Sequence, residues 1–267
     1  MANESGMMTD TLSIVGLQTR RKSLNDAMMY LVNEFTEDLT GKDPDFVVMP
    51  EKWITDTLDA DSEELSKILL FFREFSEKTG STIIPGSFSV KREDGLFNSS
   101  PVISEGKLLG WQDKISLFSR EKETYASGTR AMIFENLDLK FSVAICYDSD
   151  FPYYARLAAM RGSELVLNPA LIHKDFHDMW KIYIEARSLE NRLPFVSINS
   201  LSDPFLGNSL IAVPRKYMFG AKLKTKSYGD AHVITETLNI DGLRDMREER
   251  LGEDPGSYYL AEDESVY

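Results

Sequence analysis

Apolar residues along this chain follow two rhythms, and the switches between them mark its elements. Leu12-Ser-Ile-Val-Gly-Leu-Gln18 is a short, mostly apolar run that reads as a first strand. Leu24, Ala27, Met28, Leu31, Val32 and Phe35 then recur at three- and four-residue spacing, as on one face of a helix. Asp45-Phe-Val-Val-Met49 is continuous, as expected of a central strand covered on both sides, and runs into Pro50-Glu51. A second helix is predicted to open at Asp61, with Glu64 completing a capping box, and to turn Leu65, Ile68, Leu69 and Phe72 inward. Thr82-Ile-Ile84 reads as another strand. Val102-Ile103 and Lys107-Leu-Leu109 flank Glu105-Gly106, a hairpin signature.

The second half repeats the alternation. Strands are predicted over 141–145, 164–167 (ending at Asn168-Pro169) and 195–198, with helices over 153–161 and 174–192. Segments 208–213 and 232–238 extend the sheet. Alternating strands and helices with interspersed hairpins imply an α/β fold, a mixed sheet under helical layers. No low-complexity linker divides the chain. It reads as one domain over 11–250, with a flexible N-terminus at 1–10 and a tail at 251–267. Residues after Asp241 are rich in charge and predict a peripheral helix placed to pack on a partner subunit.

Composition narrows the function. A chain of 267 residues, 42% hydrophobic, has enough apolar mass for one large core. Its net charge of -13 argues against a nucleic-acid or anionic-membrane surface, which would want a basic face. No stretch approaches the ~18 apolar residues of a membrane span. The first ten residues lack the basic and apolar regions of a signal peptide. Cys146 is the single cysteine, so neither an internal disulfide nor a cysteine-rich zinc site is available, and a reducing, cytoplasmic home is expected.

That thiol is either a buried small hydrophobe or a nucleophile. It lies where the apolar run Val143-Ala-Ile145 meets the helix-opening Asp150-Phe-Pro152. At such a junction helix N–H groups favour the thiolate. Two other strand ends carry reactive cargo: Val47-Val-Met-Pro-Glu51, and Lys114 in Gly110-Trp-Gln-Asp-Lys114 after the hairpin. A glutamate base, a fixed lysine cation and a cysteine nucleophile make an acyl-transfer set without histidine. His173 and His177 are four apart, the spacing of metal ligands on a helix, but no third ligand accompanies them and we predict no metal site. Trp53, Tyr147, Tyr153, Tyr154 and Phe176 are candidate pocket aromatics, Trp180 a packing residue, and Lys52 a surface or rim residue.

In order and in frame, these residues resemble the nitrilase superfamily of carbon–nitrogen hydrolases. The frames are Phe46-Val-Val-Met-Pro-Glu51-Lys-Trp53, Asp113-Lys114-Ile-Ser-Leu-Phe118 and Val143-Ala-Ile-Cys146-Tyr-Asp148 with Phe151-Pro152 and Arg156. Glu121-Lys-Glu-Thr-Tyr-Ala-Ser-Gly128 is similar to the loop carrying the family's second glutamate, with Glu121 favoured and Glu123 the runner-up. The later pattern of Trp180, Ala186-Arg187, Glu190-Asn191, Asn199 and Gly207-Asn-Ser209 agrees; Pro214-Arg-Lys216 departs where a glycine is usual.

The resemblance implies a four-layer α-β-β-α sandwich, and Glu51, Lys114, Cys146 and Glu121 as catalytic residues. It implies substrate contacts from Tyr147, Trp53, Glu123 and Asn168, no cofactor, and assembly at least into a homodimer. The implied activity is hydrolysis of an amide, carbamoyl amine or nitrile of a small molecule. The alternatives are acyl transfer from the same intermediate, a catalytically silent binding protein, and a cysteine–histidine peptidase using His173, His177 or His232.

Overall fold

The structure is a computed structural model and describes residues 11–136 and 138–253. The segments read as flexible N-terminus and as most of the tail lie outside the described residues. The first sheet holds β1 (Thr11–Leu17), β2 (Phe46–Val48), β3 (Thr57–Asp59), β4 (Thr82–Ile84), β5 (Phe88–Arg92), β6 (Gly95–Ser104) and β7 (Lys107–Asp113). The second holds β8 (Ile133–Asn136), β9 (Leu139–Val143), β10 (Leu165–Pro169), β11 (Phe195–Ile198), β12 (Leu210–Tyr217) and β13 (Gly220–Ser227). The last strand, β14 (Val233–Asn239), returns to the first sheet, whose order is β14-β1-β2-β4-β6-β5-β3 with β7 paired to β6. The second sheet runs β13-β12-β11-β10-β9-β8. Each sheet has a parallel centre, β1-β2-β4 in one and β9-β10-β11 in the other, and antiparallel flanks, except that the edge strand β3 pairs parallel with β5.

Side-chain alternation explains the layering. Ile14, Phe46, Val48 and Ile84 of the first sheet meet Phe141, Val143, Leu165, Leu167 and Val196 of the second in one buried core. The opposite face of the first sheet, through Val15, Val47 and Ile83, packs on α1 (Leu24–Asn33), α2 (Phe35–Asp38) and α3 (Glu63–Thr79). The opposite face of the second, through Val166, Phe195 and Ala212, packs on α5 (Pro152–Met160) and α6 (His177–Asn191). The short α4 (Glu121–Thr124) lies between the sheets in sequence. The result is helix, sheet, sheet, helix. Central strands read as unbroken apolar runs because both of their faces are covered.

Several boundaries moved for local reasons. Ser62, not Asp61, caps α3: its hydroxyl accepts from the Leu65 N–H at 3.2 Å, so the capping box with Glu64 does not form. The inward face of α3 is as expected, with Leu65, Ile68 and Phe72 buried, each contributing about 1.5–3 kcal/mol. The first helical face ends early. Val32 is 72% exposed, and Phe35 begins a new short helix where it meets Phe71, Phe72 and Phe75 edge-on. Residues 174–176 form a 3-10 turn before α6. Strands β3, β5, β8 and β13 lay in stretches whose patterning is weak or mostly polar.

The charge-rich end is helical as expected, and α7 (Leu243–Gly252) packs on its own chain. Leu243 and Met246 join the inter-sheet core, and Arg244 pairs with Glu164 at 2.8 Å.

Gly86 links this fold to the first candidate residue. Its φ is +79°, and a Cβ there would come within 2.0 Å of the Pro50 carbonyl oxygen, one residue before Glu51. Gly86→Ala therefore pays the left-handed cost of about 1–2 kcal/mol plus a backbone clash. We expect a lowered thermal midpoint, and lowered activity in the fraction that remains folded. Unchanged melting and activity would show that Pro50-Glu51 is not held by this contact.

Candidate active site

Three chain segments deliver buried polar groups to one cleft. Glu51 follows β2 and is 2% exposed; Lys114 follows β7 and is 2% exposed. Cys146 opens a 3-10 turn, Cys146–Ser149, just beyond β9. Its φ of +45° is a left-handed conformation that a residue with a Cβ adopts only under constraint.

The constraint is visible. Asp148 accepts from the Ile145 N–H at 3.0 Å with one oxygen, and from the Ile115 and Ser116 N–H groups at 3.1 and 2.6 Å with the other. One carboxylate thus ties the cysteine turn to the segment just after Lys114. Asn168 donates to the Ala144 carbonyl at 2.6 Å and the Ser149 hydroxyl at 3.1 Å. It is held in turn by Ser197 at 2.7 Å, which Trp180 Nε1 reaches at 3.1 Å.

The four expected catalytic residues come together. Lys114 Nζ donates to Glu51 Oε1 at 2.8 Å and to Glu121 Oε2 at 2.7 Å. Glu51 Oε1 also accepts from Asn98 Nδ2 at 2.6 Å. Cys146 lines the same cavity as Glu51, Lys114 and Leu171, close enough to Glu51 and Lys114 for both charges to act on its thiol. Glu121 is fixed by the Phe118 N–H at 3.0 Å and by Lys52 Nζ at 2.6 Å.

Electrostatics assign charge states. Burial works against the Lys114 ammonium, but Glu51, the Cys146 sulfur and Glu121 outweigh it and raise its pKa, so it is a fixed cation. Burial would raise Glu121, yet Lys114 and Lys52 hold it well below the usual carboxylate range. Burial and the Glu51 charge push the Cys146 thiol well above its ordinary value, against the pull of Lys114 and the Leu171 N–H. The thiolate expected from a helix terminus is therefore not the resting form. The turn is too short to offset full burial, and proton transfer to a base must accompany attack. Burial likewise pushes Asp148 up to about 7, although three N–H groups favour its ionised form.

A cavity of about 440 Å³ opens over these groups. Tyr147 lines it, as expected, its ring packed edge-on between Phe118 and Phe151. Phe176 lines it too. Trp180 packs against Ser197, as expected, and also reaches the cavity wall.

Three expected substrate contacts are corrected. Trp53 is fully buried on the helical side of the first sheet, with Nε1 bonded to the Pro85 carbonyl at 2.7 Å, and belongs to the core. Glu123 is exposed and does not line the cavity; its neighbour Glu121 reaches Lys114 instead. Asn168 is wholly buried and supports the cysteine turn from behind. Tyr153 is 74% exposed and Tyr154 is buried against the Val143 carbonyl, so neither lines the cavity.

His173 lines the cavity but caps a 3-10 turn, with Nδ1 accepting from the Asp175 N–H at 3.2 Å; His177 lies beside Asn199. His232 pairs with Asp38. Among the described residues no group of three or more His, Cys, Asp or Glu is arranged to hold a metal. No described helix is long and apolar enough to cross a membrane.

Lys52 is the residue that sequence reasoning undervalued. It sits next to Glu51 beyond the same strand end, with φ +43°, and its ammonium braces Glu121 rather than facing bulk water. Its adjacency to the proposed base was the available signal. Asn98 gave none, being a polar residue inside β6 whose role appears only when Glu51 arrives from another strand.

The family model described as carbon-nitrogen hydrolase matches residues 11–248. The chain belongs to the carbon–nitrogen hydrolase family. A probable nitrilase of Schizosaccharomyces pombe is 30% identical over 162 residues, 59% of this chain and 58% of that protein, so the chain spans under two thirds of that relative. The 2-oxoglutaramate amidase of Bacillus subtilis is 29% identical over 193 residues, 68% of this chain and 74% of that one. A solved CN-hydrolase superfamily protein of Xanthomonas campestris, with an arsenic adduct in its active site, shares the fold. Its TM-score is 0.76 at 23% identity, over 94% of this chain and 99% of that one.

The Glu121 ion pairs generate a pH test. A carboxyl whose folded pKa is depressed contributes stability that is complete above its unfolded value of about 4.3 and lost as pH falls through the folded value. Thermal midpoints of wild type and Glu121→Gln should differ near neutral pH and converge in acid. Glu123→Gln should melt like wild type throughout. A Glu121→Gln deficit that persisted unchanged into strong acid would mean that lost packing, not a lost charge, was responsible.

Proposed function

We propose that the protein hydrolyses a non-peptide carbon–nitrogen bond of a small molecule, most simply an amide, through a thioester on Cys146. The observation that carries this reading is that Cys146 opens into the same cavity as Glu51, whose carboxylate accepts from a permanently charged Lys114. In this reading Glu51 takes the thiol proton as sulfur attacks the carbonyl carbon. The oxyanion that forms is stabilised by the Lys114 ammonium and the Tyr147 N–H. Glu51 returns the proton to the departing ammonia or amine. It then takes a proton from water, which attacks the thioester, releases the acid and regenerates the thiol. Glu121 holds Lys114 in place, and Lys52 holds Glu121. Lys114 supplies the charge that a metal would otherwise bring. The amidase name of the Bacillus subtilis relative supports an amide, and the probable nitrilase name of the Schizosaccharomyces pombe relative makes a nitrile the second reading.

The variants have distinct expected outcomes in an ammonia-release assay. Cys146→Ala should show no turnover. Glu51→Gln should fold and lose about 10²–10⁴-fold in kcat. Lys114→Arg should be severely impaired, because a planar guanidinium cannot meet both carboxylates from the ammonium's position. Retained turnover in Cys146→Ala would end the thioester reading.

We also propose a homodimer through α5 and α6. Tyr153, Leu157 and Met160 on α5 and Met179, Ile182 and Leu189 on α6 are 36–74% exposed. Such an apolar face is larger than scattered surface residues account for. Analytical ultracentrifugation should find at least a dimer, and Leu157→Glu with Ile182→Glu should dissociate it. A monomeric wild type at micromolar concentration would contradict this.

A further inference from the structure

The cavity's charges leave one group over. Lys114, Glu51, Glu121 and Lys52 neutralise one another within hydrogen-bond distance. His173 is turned to Asp175. Asp150 also lines the cavity, four residues beyond Cys146 at the end of the 3-10 turn. Among the described residues its carboxylate has no hydrogen bond and no ion pair. Arg187 lies close, but its guanidinium donates to the Ser149 and Asp150 backbone carbonyls at 3.1 and 2.5 Å and to Glu190 at 3.2 Å. Burial pushes the Asp150 carboxyl up to about 6 against the pull of the Arg187 and Lys114 charges, which still leaves it ionised at neutral pH. The surrounding wall is apolar and aromatic, from Phe118, Tyr147, Leu171, Phe176 and Trp180. Among the described residues lining the cavity no unpaired cation remains to meet a substrate carboxylate, and Asp150 would repel one.

The geometry points to a substrate that is an amide with a short aliphatic body and a protonated amine at its far end, the ammonium seated on Asp150. This inference rests on the hydrolase reading and adds the substrate class to it. A 3-10 turn rises about 2 Å per residue, so Asp150 stands on the order of 8 Å along the wall from the nucleophile. A short methylene chain spans that gap and lies on the apolar lining. Aromatic rings lining the same cavity also favour a cation. A charge-assisted hydrogen bond of this kind is worth about tenfold or more in binding.

Three six-carbon amides form the test: ε-aminocaproamide, caproamide and adipamate, ending in an ammonium, a methyl and a carboxylate. Wild type should rank them in that order by kcat/KM, with the cation favoured at least tenfold over the neutral amide. In Asp150→Asn the ratio of cationic to neutral kcat/KM should fall toward one, and in Asp150→Lys adipamate should overtake ε-aminocaproamide. Against a variant that misfolds, wild type alone gives a second reading. Pentylammonium should protect Cys146 from iodoacetamide at lower concentration than valerate does. Equal turnover of all three amides, an unchanged ratio in Asp150→Asn, or better protection by valerate would overturn the ammonium site and leave the hydrolase reading standing. Ammonia release from no amide at all, with protection by pentylammonium intact, would overturn the hydrolase reading and leave the cation site.

Discussion

A buried ammonium governs this molecule. Lys114 is almost wholly removed from water, and an isolated charge there would cost several kcal/mol or simply lose its proton. It keeps the proton because two carboxylates lie within 2.8 Å. Those carboxylates reach it from different places, Glu51 from the end of a central parallel strand and Glu121 from a short helix after the hairpin. The site therefore requires the hairpin, the strand end and the loop to be in register at once. Breaking one partner would leave a buried charge uncompensated, which makes the network a constraint on the fold as well as a part of the chemistry.

The cysteine is placed by a separate constraint. Asp148 and Asn168 hold its turn from two sides, and the left-handed Cys146 backbone is the conformation that remains. The two sheets then bring sulfur and ammonium to the cavity that Glu51 also lines. Burial suppresses the resting thiolate, and the same burial strengthens every charge interaction at the moment of attack. A neutral thiol beside an ionised base suits a nucleophile that must not react until substrate excludes water.

Much of this was legible in the residue pattern, for identifiable reasons. The parallel strands announce themselves because covering both faces forces unbroken apolar runs, and the strand ends then point to Glu51 and Cys146. Lys114 was legible through its frame after the hairpin. Long-range partnerships were not. Trp53, two residues from Glu51, looked like a pocket residue, but the turn at Glu51-Lys52, where Lys52 has a φ of +43°, carries it into the core under the helices. Asn168 looked like a ligand contact because it ends a strand, yet its amide is spent on backbone carbonyls. Asn98 and Asp148 act on segments 47 and 32 to 33 residues away, respectively, a relation that no local pattern carries. The choice between Glu121 and Glu123 needed the rotation of a single helical turn.

The central claim is that Cys146 carries the acyl group between two proton transfers by Glu51. Rapid acid quench of the enzyme with a slowly hydrolysed amide, followed by peptide mass spectrometry, tests it most directly. The account predicts a mass increase equal to the acyl group on the peptide containing Cys146, formed and lost at rates compatible with turnover. Steady ammonia release with no such adduct, and with acyl mass on no other residue, would mean that water attacks the amide directly and would contradict the account.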